Sequence, residues 1–115
     1  MSSSTAPDER PRISACIIAF NEADRLRDCL TSLAFCDEIV VVDSGSTDAT
    51  AAIASAHGAR VLHRAFDGYR SQKAFCVAQA SHDWVLCLDA DERVSDALSA
   101  SILAAIANAA LLWVA

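Results

Sequence analysis

Four short apolar runs punctuate the chain, at 13–20, Glu38–Asp43, Arg60–His63 and Trp84–Asp89, and helical patterns separate them. Runs of this length, rich in Ile, Val and Leu, predict βαβ units on a parallel sheet. IVVVD at 39–43 has no polar alternation, so it is expected to be a central strand covered on both faces. After the first run, Leu26, Cys29, Leu30 and Leu33 recur at helical spacing, with Asn21 as the expected cap and Asp24 in the first turn. A second helix is expected from Ser46 or Thr47, with Asp48 in its first turn and Gly58 as its stop; Ala49, Ala52, Ile53 and Ala56 would form its inner face. A third helix is predicted over 70–80, and a fourth begins at Ser95 as cap and carries Leu98, Ile102 and Ile106. The order β-α-β-α-β-α-β-α, with right-handed crossovers, is that of an α/β fold.

A chain of 115 residues accommodates one such core, and 54% apolar against 21% charged residues puts it on the globular side of the disorder boundary. Residues 1–12 are Ser/Pro-rich and charged, without the apolar segment of a signal peptide, and are expected to be a disordered lead-in to a domain over 13–115. The late apolar stretch 102–115 is interrupted by Asn108 and is too short to span a bilayer, while Leu111, Leu112 and Trp113 are expected to lack a later element to cover them. Nine scattered Lys and Arg residues and a net charge of −6 give no footprint for nucleic acid. Five cysteines, Cys16, Cys29, Cys36, Cys76 and Cys87, form no C-x-x-C pair, and His57, His63 and His82 stand at no ligand spacing beside them. Cys16 and Cys87 lie in apolar runs and Cys29 on an apolar helical face, so reduced core thiols in a cytoplasmic protein are expected.

In an open parallel sheet, ligands bind beyond the carboxyl ends of the strands, where loops and helix N-termini converge. The residues there are Asn21-Glu22, Asp43-Ser44-Gly45-Ser46-Thr47-Asp48 and Asp89-Ala90-Asp91-Glu92. Carboxylates gathered at one rim select a hard cation, Mg²⁺ or Mn²⁺, which bridges to substrate phosphates. Asp89 and Asp91 flank a small residue and, in extended geometry, would point to the same side. Asp43 ends a strand without an evident capping duty, which leaves it for a ligand hydroxyl or base edge. Ser46, Thr47 and Asp48 read as turn and cap residues. Glu22 suits both a ligand role and a first-turn carboxylate facing the helix dipole.

ISACIIAFNE, EIVVVDSGSTDAT and WVLCLDADERVS together resemble the opening of family-2 glycosyltransferases of the GT-A fold, over residues 13–106. The stretch from Gln72-Lys73 to DWVLCLDADE most resembles the branch that adds glucose or a related sugar to the inner core of bacterial lipopolysaccharide. The resemblance implies inverting transfer of a sugar from a nucleotide-diphosphate donor, a UDP-sugar as a rule, to a glycan or lipid-linked acceptor, in the cytoplasm or at the inner membrane's cytoplasmic face. By that likeness Phe20, Asn21 and Glu22 line the nucleotide pocket, Asp43 meets the base or ribose, and Asp89, Ala90 and Asp91 form the D-x-D site. Asp91 is then the ligand of Mg²⁺ or Mn²⁺, with Asp89 beside it. Lys73 stands where relatives often carry a basic residue followed by Asn, which implies a donor-binding role, although here Ala74 replaces that Asn. The catalytic carboxylate that deprotonates the acceptor is expected downstream of the chain's last residue, so that these residues would supply donor binding, or in the alternative an inactive remnant that binds donor at most. A receiver-type signalling domain would need an acidic pair after the first strand and a phospho-acceptor Asp after the third, where Asn21-Glu22 and His63-Arg64 stand. A nucleotidyltransferase would need a Gly-rich loop that AFNEADRLRD lacks.

Overall fold

The computed structural model describes the backbone of residues 11–114 and the side chains through residue 109. Residues 1–10 of the expected lead-in lie outside the described residues, as do the side chains of Leu111, Leu112 and Trp113. The chain alternates β1 (Ile13–Ala19), α1 (Ala23–Ser32), β2 (Glu38–Asp43), α2 (Thr50–Ala56), β3 (Arg60–His63), α3 (Tyr69–Gln79), β4 (Trp84–Asp89) and α4 (Asp96–Val114). All strand pairs are parallel, in the order β3-β2-β1-β4, which makes an α/β sheet with helices on both faces.

The two faces follow the strand period of two. Ala15, Ile17 and Ala19 of β1 and Val41 of β2 join Leu26, Cys29 and Leu30 of α1 and its C-cap Leu33, Ala54 of α2 and the half-buried Ile102 of α4 in one cluster. Cys16, Val40 and Val42 face the other way, onto Cys76 of α3. Val40, Val41 and Val42 are all fully buried because β2 is covered on both sides. Burying each such side chain contributes about 1.5–3 kcal/mol.

Element types and order match the sequence reading, but two helix starts do not. Asn21 does not cap α1: its φ is +52°, and Glu22 occupies the cap position without a side-chain hydrogen bond. The helix expected from Ser46 begins at Thr50, and its inward residues are Thr50 and Ala54, with Ile53 half-buried, while Ala49, Ala52 and Ala56 face solvent. Thr50 sets this phase, since its hydroxyl accepts the Glu22 N–H at 2.9 Å and also donates to Asp48 Oδ1. At the other end the expected stop holds: Gly58, at φ +84°, donates to the Ser55 carbonyl while Ala59 donates to Ala54, closing a Schellman motif. Ser95 caps α4 as expected, accepting the Leu98 N–H at 3.0 Å.

One thiol departs from expectation. Cys16, Cys29 and Cys76 are buried and Cys36 is half-buried, but Cys87 is exposed. β4 is an edge strand of this sheet, and the cluster under α3 takes only Val85 from it. Burial pushes the Cys29 thiol up to about 12 and the Cys36 thiol up to about 11, so neither is a nucleophile near neutral pH.

Candidate functional site

β2 and β3 extend the sheet to one side of β1 and β4 lies on the other, so the chain reverses direction of winding between β1 and β4. The loops part there, and a crevice opens beyond the strand ends. A pocket of about 620 Å³ fills it. Phe66, Tyr69 and Ser44 line it at the β2–β3 side, Ile18, Phe20 and Glu22 at the end of β1, Lys73 along α3, and Asp89 and Asp91 at the end of β4.

The β1–α1 loop is held by the β2–α2 loop. Asn21 N–H donates to Ser46 Oγ at 2.8 Å, Asn21 Oδ1 accepts the Thr47 N–H at 2.8 Å, and Ala23 N–H donates to Asp48 Oδ2 at 3.2 Å. With Thr50 on Glu22, the N–H groups of Glu22 and Ala23 at the start of α1 are satisfied by side chains from across the rim instead of by a local cap. Asp48 serves its own helix as expected, its Oδ1 accepting the Thr50 N–H at 2.9 Å, and with Ser46 and Thr47 it also splices the two rim loops together. Asn21 suits this position because its short amide side chain tolerates the left-handed backbone.

Asp43 has the capping duty that its sequence position did not reveal. Only 2% exposed, it accepts the Gly45 N–H at 3.1 Å and the Ser46 N–H at 3.0 Å, and takes the Ser46 hydroxyl as well. His63 Nδ1 lies 3.5 Å from its Oδ2. Its carboxylate thereby shapes the loop at the pocket's rim. The side chain of Asn21 likewise serves the loop, and the methyl of Ala90 is buried in the core under α1.

Asp89 and Asp91 do not continue an extended strand. The Glu92 N–H donates to the Asp89 carbonyl at 3.0 Å, a tight turn, and Glu92 Oε1 accepts the Asp89 N–H at 2.8 Å. The turn keeps both carboxylates on the pocket while Ala90 points inward. Glu22, across from them, lies 2.7 Å from Arg25 Nη2, an ion pair outside hydrogen-bond alignment that leaves its buried Oε1 without a donor. Among the described residues, the carboxylates of Asp89 and Asp91 and the ammonium of Lys73 make no internal hydrogen bond or ion pair. The fold uses Asp43, Asp48 and Glu38 to hold itself together and leaves these three groups to the pocket.

Of the residues singled out from sequence, the structure brings Phe20, Glu22, Lys73, Asp89 and Asp91 around one cavity, while the side chains of Asn21 and Asp43 bond to the rim loops and Ala90 is buried in the core. Ser44, Phe66 and Tyr69 were missed. Phe66 and Tyr69 stand edge to face, ring centroids 5.0 Å apart and both more than half exposed. Two aromatics three residues apart around Asp67-Gly68, just ahead of a helical pattern, were the available signal.

No cluster of three or more His, Cys, Asp or Glu side chains among the described residues forms a protein cage for a metal. Asp89 and Asp91 supply two hard oxygen donors instead, which fits Mg²⁺ or Mn²⁺ held by one or two carboxylates, waters and substrate phosphates.

Comparison with known proteins adds four findings. Residues 14–112 match the family model described as "Glycosyl transferase family 2". A lipopolysaccharide core biosynthesis glycosyltransferase, LpsC, of Rhizobium meliloti (strain 1021) is 44% identical over 91 residues, covering 75% of this chain and 34% of LpsC. Among solved structures, S. aureus TarS 1–349 superposes with a TM-score of 0.71 at 25% identity over 81% of this chain and 31% of its own. M. tuberculosis glucosyl-3-phosphoglycerate synthase in complex with Mn²⁺, UDP and glucosyl-3-phosphoglycerate superposes with a TM-score of 0.60 at 28% identity, over 77% of this chain and 37% of its own. The chain thus spans about a third of the length of these relatives.

Proposed function

We propose, for a chain that belongs to glycosyl transferase family 2 by its match over residues 14–112, that the rim pocket binds a nucleotide-diphosphate sugar, a UDP-sugar with glucose as the favoured sugar. The supporting observation is the pocket's polarity. Its β2–β3 end offers Phe66, Tyr69 and the Ser44 hydroxyl, which suit a flat base and its polar edge; its β4 end offers the two unpartnered carboxylates of Asp89 and Asp91. A diphosphate facing those carboxylates in a chain of net charge −6 needs a cation, and Mg²⁺ or Mn²⁺ held by Asp91 with Asp89 would offset the charge that develops on the departing diphosphate. Lys73, which has no hydrogen bond or ion pair among the described residues, adds one positive charge between the two ends. Glu22 and Phe20 complete the wall at β1, while Asp43 and Asn21 act on the nucleotide through the loops they brace.

The whole reaction under this reading is inverting transfer to a glycan or lipid-linked acceptor of the lipopolysaccharide-core type, a reading supported by the likeness to LpsC. The reduced, unpaired thiols favour a cytoplasmic location, and no helix among the described residues is long and apolar enough to cross a membrane. Transfer also needs a base to deprotonate the acceptor, a role assigned to none of the pocket residues named here. Saturation-transfer NMR with UDP-glucose and Mg²⁺ tests the orientation: irradiating the aromatic protons should saturate the base protons far more than those of the glucose. Equal saturation along the ligand, or none, would refute it.

A further inference from the structure

Gln72 of α3 is completely removed from solvent and precedes the pocket residue Lys73. A buried side-chain amide persists when its polar atoms are paired, and here each partner is identifiable. Oε1 accepts from Arg64 Nη1 at 2.6 Å; Nε2 donates to the Arg64 carbonyl at 2.9 Å and to Ser44 Oγ at 3.0 Å. Arg64 is itself pinned, its N–H donating to the Asp43 carbonyl at 3.0 Å and its guanidinium lying over the Phe75 ring.

The amide cannot be turned over. A guanidinium only donates and a peptide carbonyl only accepts, so reversing oxygen and nitrogen would set donor against donor and acceptor against acceptor. The sense of the third bond follows: Ser44 Oγ receives the Gln72 proton, and its own proton has no acceptor among the described residues. The Ser44 backbone is fixed too, its N–H donating to the Ala19 carbonyl at 3.0 Å. Ser44 lines the pocket beside Phe66 and Tyr69.

We infer that Gln72 is a positioning residue that sets the Ser44 hydroxyl as a hydrogen-bond donor toward the aromatic end of the pocket, so that this end selects an acceptor atom of the nucleoside. The inference rests on the donor-site reading above and adds a residue outside the pocket wall that determines what the wall recognises. Substitution Gln72→Glu keeps the size and still offers Arg64 an acceptor, but it puts a carboxylate oxygen opposite Ser44, which turns the hydroxyl proton inward.

The test is a cycle of the 115-residue chain, its Gln72→Glu and Ser44→Ala variants, and the double variant, each titrated with UDP and Mn²⁺ by calorimetry and melted by circular dichroism. Each single change should weaken UDP about three- to tenfold, the worth of one hydrogen bond, and the double variant should be no weaker than either single, because the same bond is lost once. A Gln72→Glu effect that persists in the Ser44→Ala background would show that Gln72 merely holds the fold, and overturn the proposal. Unchanged affinity in Ser44→Ala overturns it whether or not Gln72→Glu folds; if that variant does not fold, Gln72→Met removes the donor without adding charge and takes its place. An unsubstituted chain that binds no UDP overturns the donor-site reading, and this inference with it.

Discussion

Replacing Glu38 by Gln should remove a large share of the acid-sensitive stability of this chain and leave the pocket intact. Glu38 opens β2 at the end of the sheet remote from the pocket, where its carboxylate ties three other segments together. It accepts the Ser14 hydroxyl of β1 at 2.7 Å, and both the N–H and the hydroxyl of Ser81, ahead of β4, at 2.8 Å; Arg60 of β3 lies 3.3 Å away. Burial pushes the carboxyl up, but the Ser81 N–H, the two hydroxyls and Arg60 pull the other way, and it is held down from 4.5 to about 2. The side chain is 18% exposed, so solvent screens these bonds only partly, whereas Arg60 at 43% contributes little. At about 1.4 kcal/mol per pH unit, the depression corresponds to an upper bound of about 3–4 kcal/mol. A depressed carboxyl stabilises the fold above its unfolded value and loses that contribution as pH falls through the folded one. The window is therefore pH 4.5 down to about 2. Urea unfolding followed by tryptophan fluorescence from pH 7 to pH 2.5 should show Glu38→Gln less stable by about 1–3 kcal/mol at pH 7. The two curves should converge at the acid end. Parallel curves across the whole range would refute the assignment of this acid sensitivity to Glu38.

Leu26, at 0% exposed beneath the central strand, should cost about 2–5 kcal/mol on Leu26→Ala, read as a lowered urea midpoint with an unchanged slope. Gly68 caps α3 at φ +90° and ψ 150°, with open space where a Cβ would stand, so Gly68→Ala should cost about 1–3 kcal/mol from backbone strain alone; an unchanged melting temperature would contradict this. Thr50→Val should leave the Glu22 N–H and the Asp48 carboxylate without their hydroxyl partner, lower stability by about 1–3 kcal/mol, and raise hydrogen exchange at Glu22 and Ala23 first. Uniform exchange changes across the sheet would argue that the two rim loops are not coupled through Thr50.

The strands were legible because a parallel sheet covered on both faces leaves unbroken apolar runs, and IVVVD could be little else. α1 was legible because Leu26, Cys29, Leu30 and Leu33 fall on one buried face. α2 was not, because four of its seven residues are alanine and fix no phase; the buried Thr50 hydroxyl, bonded to a segment 28 residues away, decides it. The same reason hid the duty of Asp43 and the partners of Asn21, whose hydrogen bonds depend on which loops the sheet brings together. Asp89, Asp91 and Glu22 were legible from their place after strands. Ser44 and Gln72 were not, because nothing in the sequence pairs two residues 28 apart until the fold puts them against each other. Cys87 was misjudged because an apolar run does not reveal whether its strand lies at an edge.

Under the proposed function, Asp89 and Asp91, whose carboxylates make no hydrogen bond or ion pair among the described residues, are left for a divalent cation to join to a nucleotide diphosphate. The most direct measurement is the affinity of UDP for the chain and for its Asp91→Asn variant, each by calorimetry with Mn²⁺ and again in excess chelator. The chain should bind UDP about tenfold or more tightly with Mn²⁺ than without it, and Asp91→Asn should lose that gain while melting at the same temperature, because the exposed Asp91 carboxylate holds nothing else in the fold. Equal affinity with and without the cation, or a variant that keeps the full Mn²⁺ gain, would contradict the claim.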